Sequence, residues 1–144
     1  PDDITSDPLW KMDVYRLALF ATDLAWHDVC RLAEDRRTLG LSDQLYRAVG
    51  SIAANIAEGY SRLSGRDQAR FYEYALGSTR EARGWYQAAR HVLTEDVVRH
   101  RRTLLTQIAR QLLTIIPTQR ANRIREASRS YVIDQSVLDF SPQE

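Results

Sequence analysis

Asn55 and Glu58 stand three residues apart in the run Ser51-Ile52-Ala53-Ala54-Asn55-Ile56-Ala57-Glu58-Gly59, and Ser51 and Arg62 extend the same rhythm to either side. At helical spacing these four polar residues form a stripe beside an apolar one of Leu45, Val49, Ile52, Ile56 and Leu63. A surface helix ordinarily keeps its charged face opposite its apolar face. Here an amide and a carboxylate sit on the shoulder of the apolar face, where each must find a partner or lose its hydration. A second carboxylate, Glu81, follows Ser78 on the next helical segment. Two carboxylates on adjacent helices suit general acid–base catalysis if a cleft separates them. The small residues around these two predict tight packing instead. The favoured reading is an interhelical polar network joining Glu58 and Glu81 to Ser51, Asn55, Arg62, Ser78 and Arg80, and the chain is expected not to be an enzyme.

Other chemistry finds less support. A di-metal site in a helical bundle needs Glu-x-x-His on two helices, and the residues three before His27, His91 and His100 are Leu24, Ala88 and Val97. His27 and Cys30 share a helix face without further ligands of the right type. No metal is therefore expected. Cys30 has no positioned base, and no glycine-rich phosphate loop is present, so neither a catalytic residue nor a cofactor is implied. The basic residues are more informative. Arg99, Arg101, Arg102, Arg110, Arg120, Arg123, Arg125 and Arg129 fall between positions 99 and 130 and meet one acid there, Glu126. On one flank they would bind phosphates without reading sequence; the plainer alternative is a solvated helix face.

Four segments must position these groups. Ser6-Asp7-Pro8 reads as a helix start, opening a helix from about 8 to 35 with Val14, Ala18, Ala21, Ala25, Val29 and Leu32 inside. Gly40 and Ser42 mark the next boundary, with Ser42 as the cap of a helix from about 43 to 63. Ser64 and Asp67 have capping-box spacing before a third helix over about 66–93. Its expected core face is Phe71, Ala75, Ser78, Ala82, Trp85, Ala89 and Val92, a seven-residue repeat suited to knobs-into-holes packing. Beside it Tyr74, Gly77, Glu81, Gly84 and Ala88 form a stripe whose two glycines predict close approach of another backbone. Thr94 caps the fourth helix, lined by Val98, Leu105, Ile108, Leu112 and Ile115, and Pro117 is expected to end or kink it. The whole predicts an all-α, up-down-up-down antiparallel four-helix bundle over 8–116 and a C-terminal tail, initially basic, over 117–144.

Composition agrees. A chain of 144 residues fits one domain, with Gly and Pro scarce. The formal net charge is only +1, so the basic balance is local to the C-terminal third. One cysteine excludes an internal disulfide and suits a reducing cytoplasm. No run of 18 apolar residues suggests a membrane span, and no signal peptide is recognisable.

The pattern Tyr46-Arg47-Ala48-x-x-Ser51-Ile52-x-x-Asn55-Ile56-Ala57-Glu58-Gly59, then Arg62, then Phe71-x-x-x-Ala75-x-Gly77-Ser78-x-x-Glu81, resembles the bacterial four-helix-bundle family named for proteins encoded in 23S rRNA intervening sequences. Lys11-Met12-Asp13-Val14-Tyr15-Arg16-Leu17 is similar to that family's opening, and the resemblance covers roughly residues 10–115. It implies a left-handed antiparallel bundle and a homo-oligomer, often a pentameric ring. A fold relative, the accessory variability determinant of diversity-generating retroelements, is a basic pentameric barrel that binds a reverse transcriptase and its template RNA. The resemblance thus implies RNA, a reverse transcriptase or another RNA-handling protein as partner. For Ser51, Asn55, Glu58, Gly59, Gly77, Ser78 and Glu81 it implies a structural role, as a seam between helices or subunits. A pure protein-interaction module is the alternative, its apolar Val137-Leu138-Asp139-Phe140 patch docking on a neighbour.

Overall fold

Apolar residues at three- and four-residue spacing give four long helices, and short connections force each to run antiparallel to the last. A computed structural model describes residues 1–130, with side chains described through residue 121. A single turn, α1 (Asp2–Thr5), precedes α2 (Asp13–Glu34), α3 (Leu39–Tyr60), α4 (Gly65–Ala88) and α5 (Glu95–Ser130). Consecutive helices pack along their lengths and α5 also touches α2, closing an up-down-up-down bundle. Every regular element among the described residues is helical, and none of these helices is long and apolar enough to cross a membrane. The described core is built from Ala18, Ala25, Leu32, Leu45, Val49, Ile52, Ile56, Ala75, Ala82, Leu105, Ile108 and Leu112, all essentially sealed from solvent.

Boundaries depart from expectation where local chemistry competes with the helix. Asp7 does cap, accepting a hydrogen bond from the Leu9 amide at 2.9 Å, but the turn that follows is a short 3-10 segment, Pro8–Lys11. Extended backbone at Met12 separates it from α2. Ser42 is not a cap: it lies buried within α3 and its hydroxyl donates to the Leu39 carbonyl. Thr38 holds the entry instead, donating to the Leu32 carbonyl at 2.6 Å and tying α3 back to α2. In the same connection Arg37 hydrogen-bonds the Asp35 carboxylate through side chain and backbone and holds its pKa down at about 2. Ser64 accepts from the Asp67 amide at 3.2 Å, the cap its spacing predicts. Leu63 falls beyond α3 and is 98% exposed, so the apolar stripe stops at Ile56.

Two core faces are rotated from their expected positions. In α4 the buried residues are Ala69, Tyr72, Ala75, Leu76, Thr79, Ala82 and Tyr86, while Phe71, Ser78 and Trp85 are only half-buried. Both sets repeat every seven residues, so spacing alone does not separate them; the shared alanines at 75 and 82 fit either. In α2 the stripe expected through Val29 runs through Asp28, which is 4% exposed. Pro117 does not end α5, which continues to Ser130. Ile116 packs into the core just before it and Arg120 pairs with Glu73 of α4 just after it. Contacts on both sides of the proline thus hold the helix against the rest of the bundle. The Val137–Phe140 patch lies outside the described residues.

Candidate nucleic-acid interface

The α3–α4 seam forms in part. The Ser51 hydroxyl donates to the Ser78 hydroxyl at 2.6 Å, joining the midpoints of the two helices. Asn55 turns back along its own helix, its side-chain amide donating to the Ser51 carbonyl at 2.8 Å. Glu58 is a correction to the buried network: its side chain is 49% exposed and pairs with Arg62 one turn on. Glu81 is likewise exposed, and accepts from the Trp85 indole at 3.2 Å. Each carboxylate is thus engaged by a neighbour on its own segment.

Gly59 is where the seam is tightest. A Cβ added there would lie 2.8 Å from Cε1 and 2.9 Å from Cδ1 of Tyr72, which is itself buried. Burial, and secondarily the nearby Tyr60, push the Tyr72 phenol up to about 12. Gly77 and Gly84 are the opposite case. Nothing lies within 4 Å of a Cβ built at either, so their stripe faces outward and no backbone of another helix among the described residues approaches it.

At the other end of α4 the charged groups collect. Asp28 of α2 lies inside the bundle and accepts three hydrogen bonds. The Tyr86 hydroxyl donates to Oδ2 at 2.7 Å, Arg101 Nε to Oδ2 at 2.7 Å, and Arg101 Nη2 to Oδ1 at 3.1 Å. The two-pronged guanidinium contact fits the carboxylate edge. Burial, reinforced by the hydrogen bond to Asp28, drives the Tyr86 phenol well above its ordinary pKa. Burial opposes the charge on Arg101, but Asp28 more than offsets it and the guanidinium is held still more firmly protonated than usual. Arg101 was expected to face phosphates; it points inward because it stands in the core stripe between Val98 and Leu105.

This buried cluster ties the first turns of α5 to the ends of α2 and α4, and so fixes which arginines face out. Arg99, Arg102 and Arg110 of α5 meet Arg83 of α4 around a surface cavity of about 560 Å³, with Thr103, Thr106 and Gln107 between them. Arg83 Nη1 donates to the Thr106 hydroxyl at 3.2 Å across the two helices. A second cavity of about 420 Å³ shares Arg99 and Arg102 and adds Gln87, Arg90, His91 and one acid, Glu95. The two share Arg99 and Arg102 and so lie side by side, together lining a groove region along the α4–α5 junction. Arg99 also pairs with Asp96 at the exposed start of α5, a contact worth little in water and easily exchanged for another anion.

The expected arginine flank therefore divides. Arg99, Arg102 and Arg110 come together in the groove; Arg101 is taken by Asp28; Arg120 lies further along and pairs with Glu73. Arg123, Arg125 and Arg129 lie outside the described side chains. Arg83 and Arg90, not among the expected arginines, complete the groove, and no run of like charge marks them because six uncharged residues separate the two. Asp28 had a legible signal, an acid three residues after Ala25 and four before Leu32 in a buried stripe. Among the described residues no three His, Cys, Asp or Glu side chains gather as a metal would require.

Comparison with known proteins places the bundle. A family model described as 23S rRNA-intervening sequence protein matches residues 11–114. A solved structure described as a protein of unknown function from the S23 ribosomal protein family of Bacteroides thetaiotaomicron VPI-5482 superposes with a TM-score of 0.68 at 23% identity. The match covers 72% of this chain and 97% of that one, and shows the fold. No curated protein matches the chain.

Proposed function

The chain belongs to the 23S rRNA-intervening sequence protein family, and on that footing we propose that it is a non-enzymatic RNA-binding scaffold whose contact surface is the α4–α5 groove. The observation that carries this reading is the gathering of Arg83, Arg90, Arg99, Arg102 and Arg110 from α4, the turn after it and α5 around cavities holding one acid. Guanidinium groups suit phosphate oxygens by their planar, forked donors, and several in a row bind a polyanion by releasing its counterions. In a near-neutral chain, a local cluster of arginines with one acid among them favours approach of an anionic partner at that junction.

The test is RNA binding by fluorescence anisotropy across a salt series. Affinity is expected to fall linearly with salt on logarithmic axes. Arg102→Ala and Arg110→Ala should each flatten that slope by roughly 0.7–0.9 and weaken all sequences about equally. Salt-independent binding, or slopes unchanged in both variants, overturns the reading.

A second reading concerns assembly. The outward stripe of Gly77, Gly84 and Ala88 offers a surface that another helix can approach closely, and supports the proposal that copies of this chain join, in a ring, to present several grooves to one RNA or to a reverse transcriptase or other RNA-handling protein. Light scattering on the wild type and on Gly84→Leu checks it. A fall in mass is expected; an unchanged multimer, or a wild-type monomer, removes this stripe as the interface.

A further inference from the structure

The groove has two kinds of lining, and their arrangement narrows the ligand. Its rims are guanidinium groups: Arg83 from α4, Arg90 from the 3-10 turn Ala89–His91 that follows α4, and Arg99, Arg102 and Arg110 from α5. Between them lie neutral groups that both donate and accept, the Thr103 and Thr106 hydroxyls and the Gln107 amide. From Arg99 to Arg110 the α5 rim runs for about 16 Å at the helical rise. Along the duplex axis each strand carries a charge about every 3.4 Å, and a rim of this length can face several phosphates of one strand.

What the groove lacks among the described residues is a stacking platform. The only ring lining it is His91. Among the described residues the exposed aromatic side chains lie elsewhere: Phe20 and Trp26 on α2, Tyr46 and Tyr60 on α3, and Tyr74 in the first half of α4, none of them lining either cavity. Surfaces built for single strands combine basic grooves with aromatic side chains on which unpaired bases stack. A duplex keeps its base faces stacked internally and presents phosphates, 2′-hydroxyls and base edges, none of which needs an aromatic platform.

We infer that the α4–α5 groove takes one backbone strand of double-stranded RNA, phosphates on the arginine rims and ribose 2′-hydroxyls on Thr103, Thr106 and Gln107. This rests on the RNA-binding reading above and narrows it to duplex shape. The 2′-hydroxyl donates and accepts, as the neutral lining does, and it is the group by which RNA differs from DNA at a backbone contact. Because no base edge is reached, the inference implies indifference to sequence.

The experiment compares three probes of one sequence and length on the full chain: duplex RNA, single-stranded RNA and duplex DNA, each titrated by anisotropy. Duplex RNA is expected to bind about tenfold more tightly than either of the others, with a logarithmic salt slope near −3 to −4. Thr103→Val combined with Gln107→Leu should bring duplex RNA down to the level of duplex DNA while leaving duplex DNA unchanged. Both substitutions lie on an exposed helix face, and circular dichroism verifies the fold. Single-stranded RNA bound as tightly as duplex overturns the inference and leaves RNA binding standing, as does DNA bound as tightly as RNA. Failure of all three probes overturns the RNA-binding reading itself.

Discussion

The two faces of α4 solve opposite problems. Toward α3 it seals: Ser78 meets Ser51, and Tyr72 lies so close to Gly59 that no methyl group fits between them. Toward α5 it opens into an arginine-lined groove, floored by hydroxyl groups and underlain by a buried carboxylate. The most distinctive residue pattern in the chain belongs to the sealed face, and the groups fitted to bind a ligand belong to the other. A conspicuous motif thus marks where two helices must touch. A site for a polyanion needs only that scattered arginines be brought to one junction.

The largest effect should come from beneath the groove. Asp28→Ala leaves Arg101 and the Tyr86 hydroxyl without their buried partner, and loss of one member of such a pair costs about 3–5 kcal/mol. Urea unfolding measures it; a loss under about 1 kcal/mol would mean that water already satisfies Arg101 and that the cluster does not anchor α5. On the sealed face, Gly59→Ala forces Tyr72 to move and should cost about 1–3 kcal/mol. Equal stability of Gly59→Ala and wild type would show that the α3–α4 contact yields, erasing the contrast between the faces. Tyr86→Phe removes one hydrogen bond to a charged acceptor, worth about 1.5–3 kcal/mol, and carries a pH signature. The Tyr86 phenol is raised above its unfolded value of 10.0 in the folded chain. Its contribution is therefore complete below pH 10 and lost as pH rises beyond it. Stability measured from pH 8 to 11.5 should fall more gently in Tyr86→Phe than in wild type, with a residual slope from Tyr72, whose pKa is pushed up to about 12.

Much of this was legible in the sequence, and the misreadings share a cause. The bundle follows from apolar spacing, and the caps at Ser64 and Asp7 follow from residue type. Burial direction is harder, because adjacent stripes can carry the same period. Phe71, Ser78 and Trp85 repeat every seven residues, and so do the buried Tyr72, Thr79 and Tyr86. The same ambiguity hides Asp28 behind Val29, and Arg101 among arginines that face solvent. A charged residue inside an apolar stripe is the readable sign, since only a buried partner tolerates it there. The groove needs Arg83 from α4 and Arg90 from the turn after it beside Arg99, Arg102 and Arg110 from α5, a juxtaposition that the bundle creates and linear charge density does not reveal.

The smallest effects sharpen the comparison most. Gly84→Ala should stabilise the isolated chain by about 1 kcal/mol, since alanine is the better helix former and open space surrounds the added methyl. The same change beside Tyr72 destabilises, so glycine pays opposite returns on two stretches of packed helix, and thermal melts of both variants settle the sign. Glu58 then separates motif from packing. It stands in the most distinctive run of the sequence, yet its side chain is half-exposed and its partner Arg62 is one helical turn away. An exposed pair at this spacing contributes about 0.3–0.5 kcal/mol, so Glu58→Ala should shift stability by less than about 0.5 kcal/mol. A loss of several kcal/mol would mean that Glu58 is buried in the assembled protein, against a second copy of the chain. Repeating the melt at a tenfold lower protein concentration distinguishes the two, because only a subunit contact makes the midpoint depend on concentration.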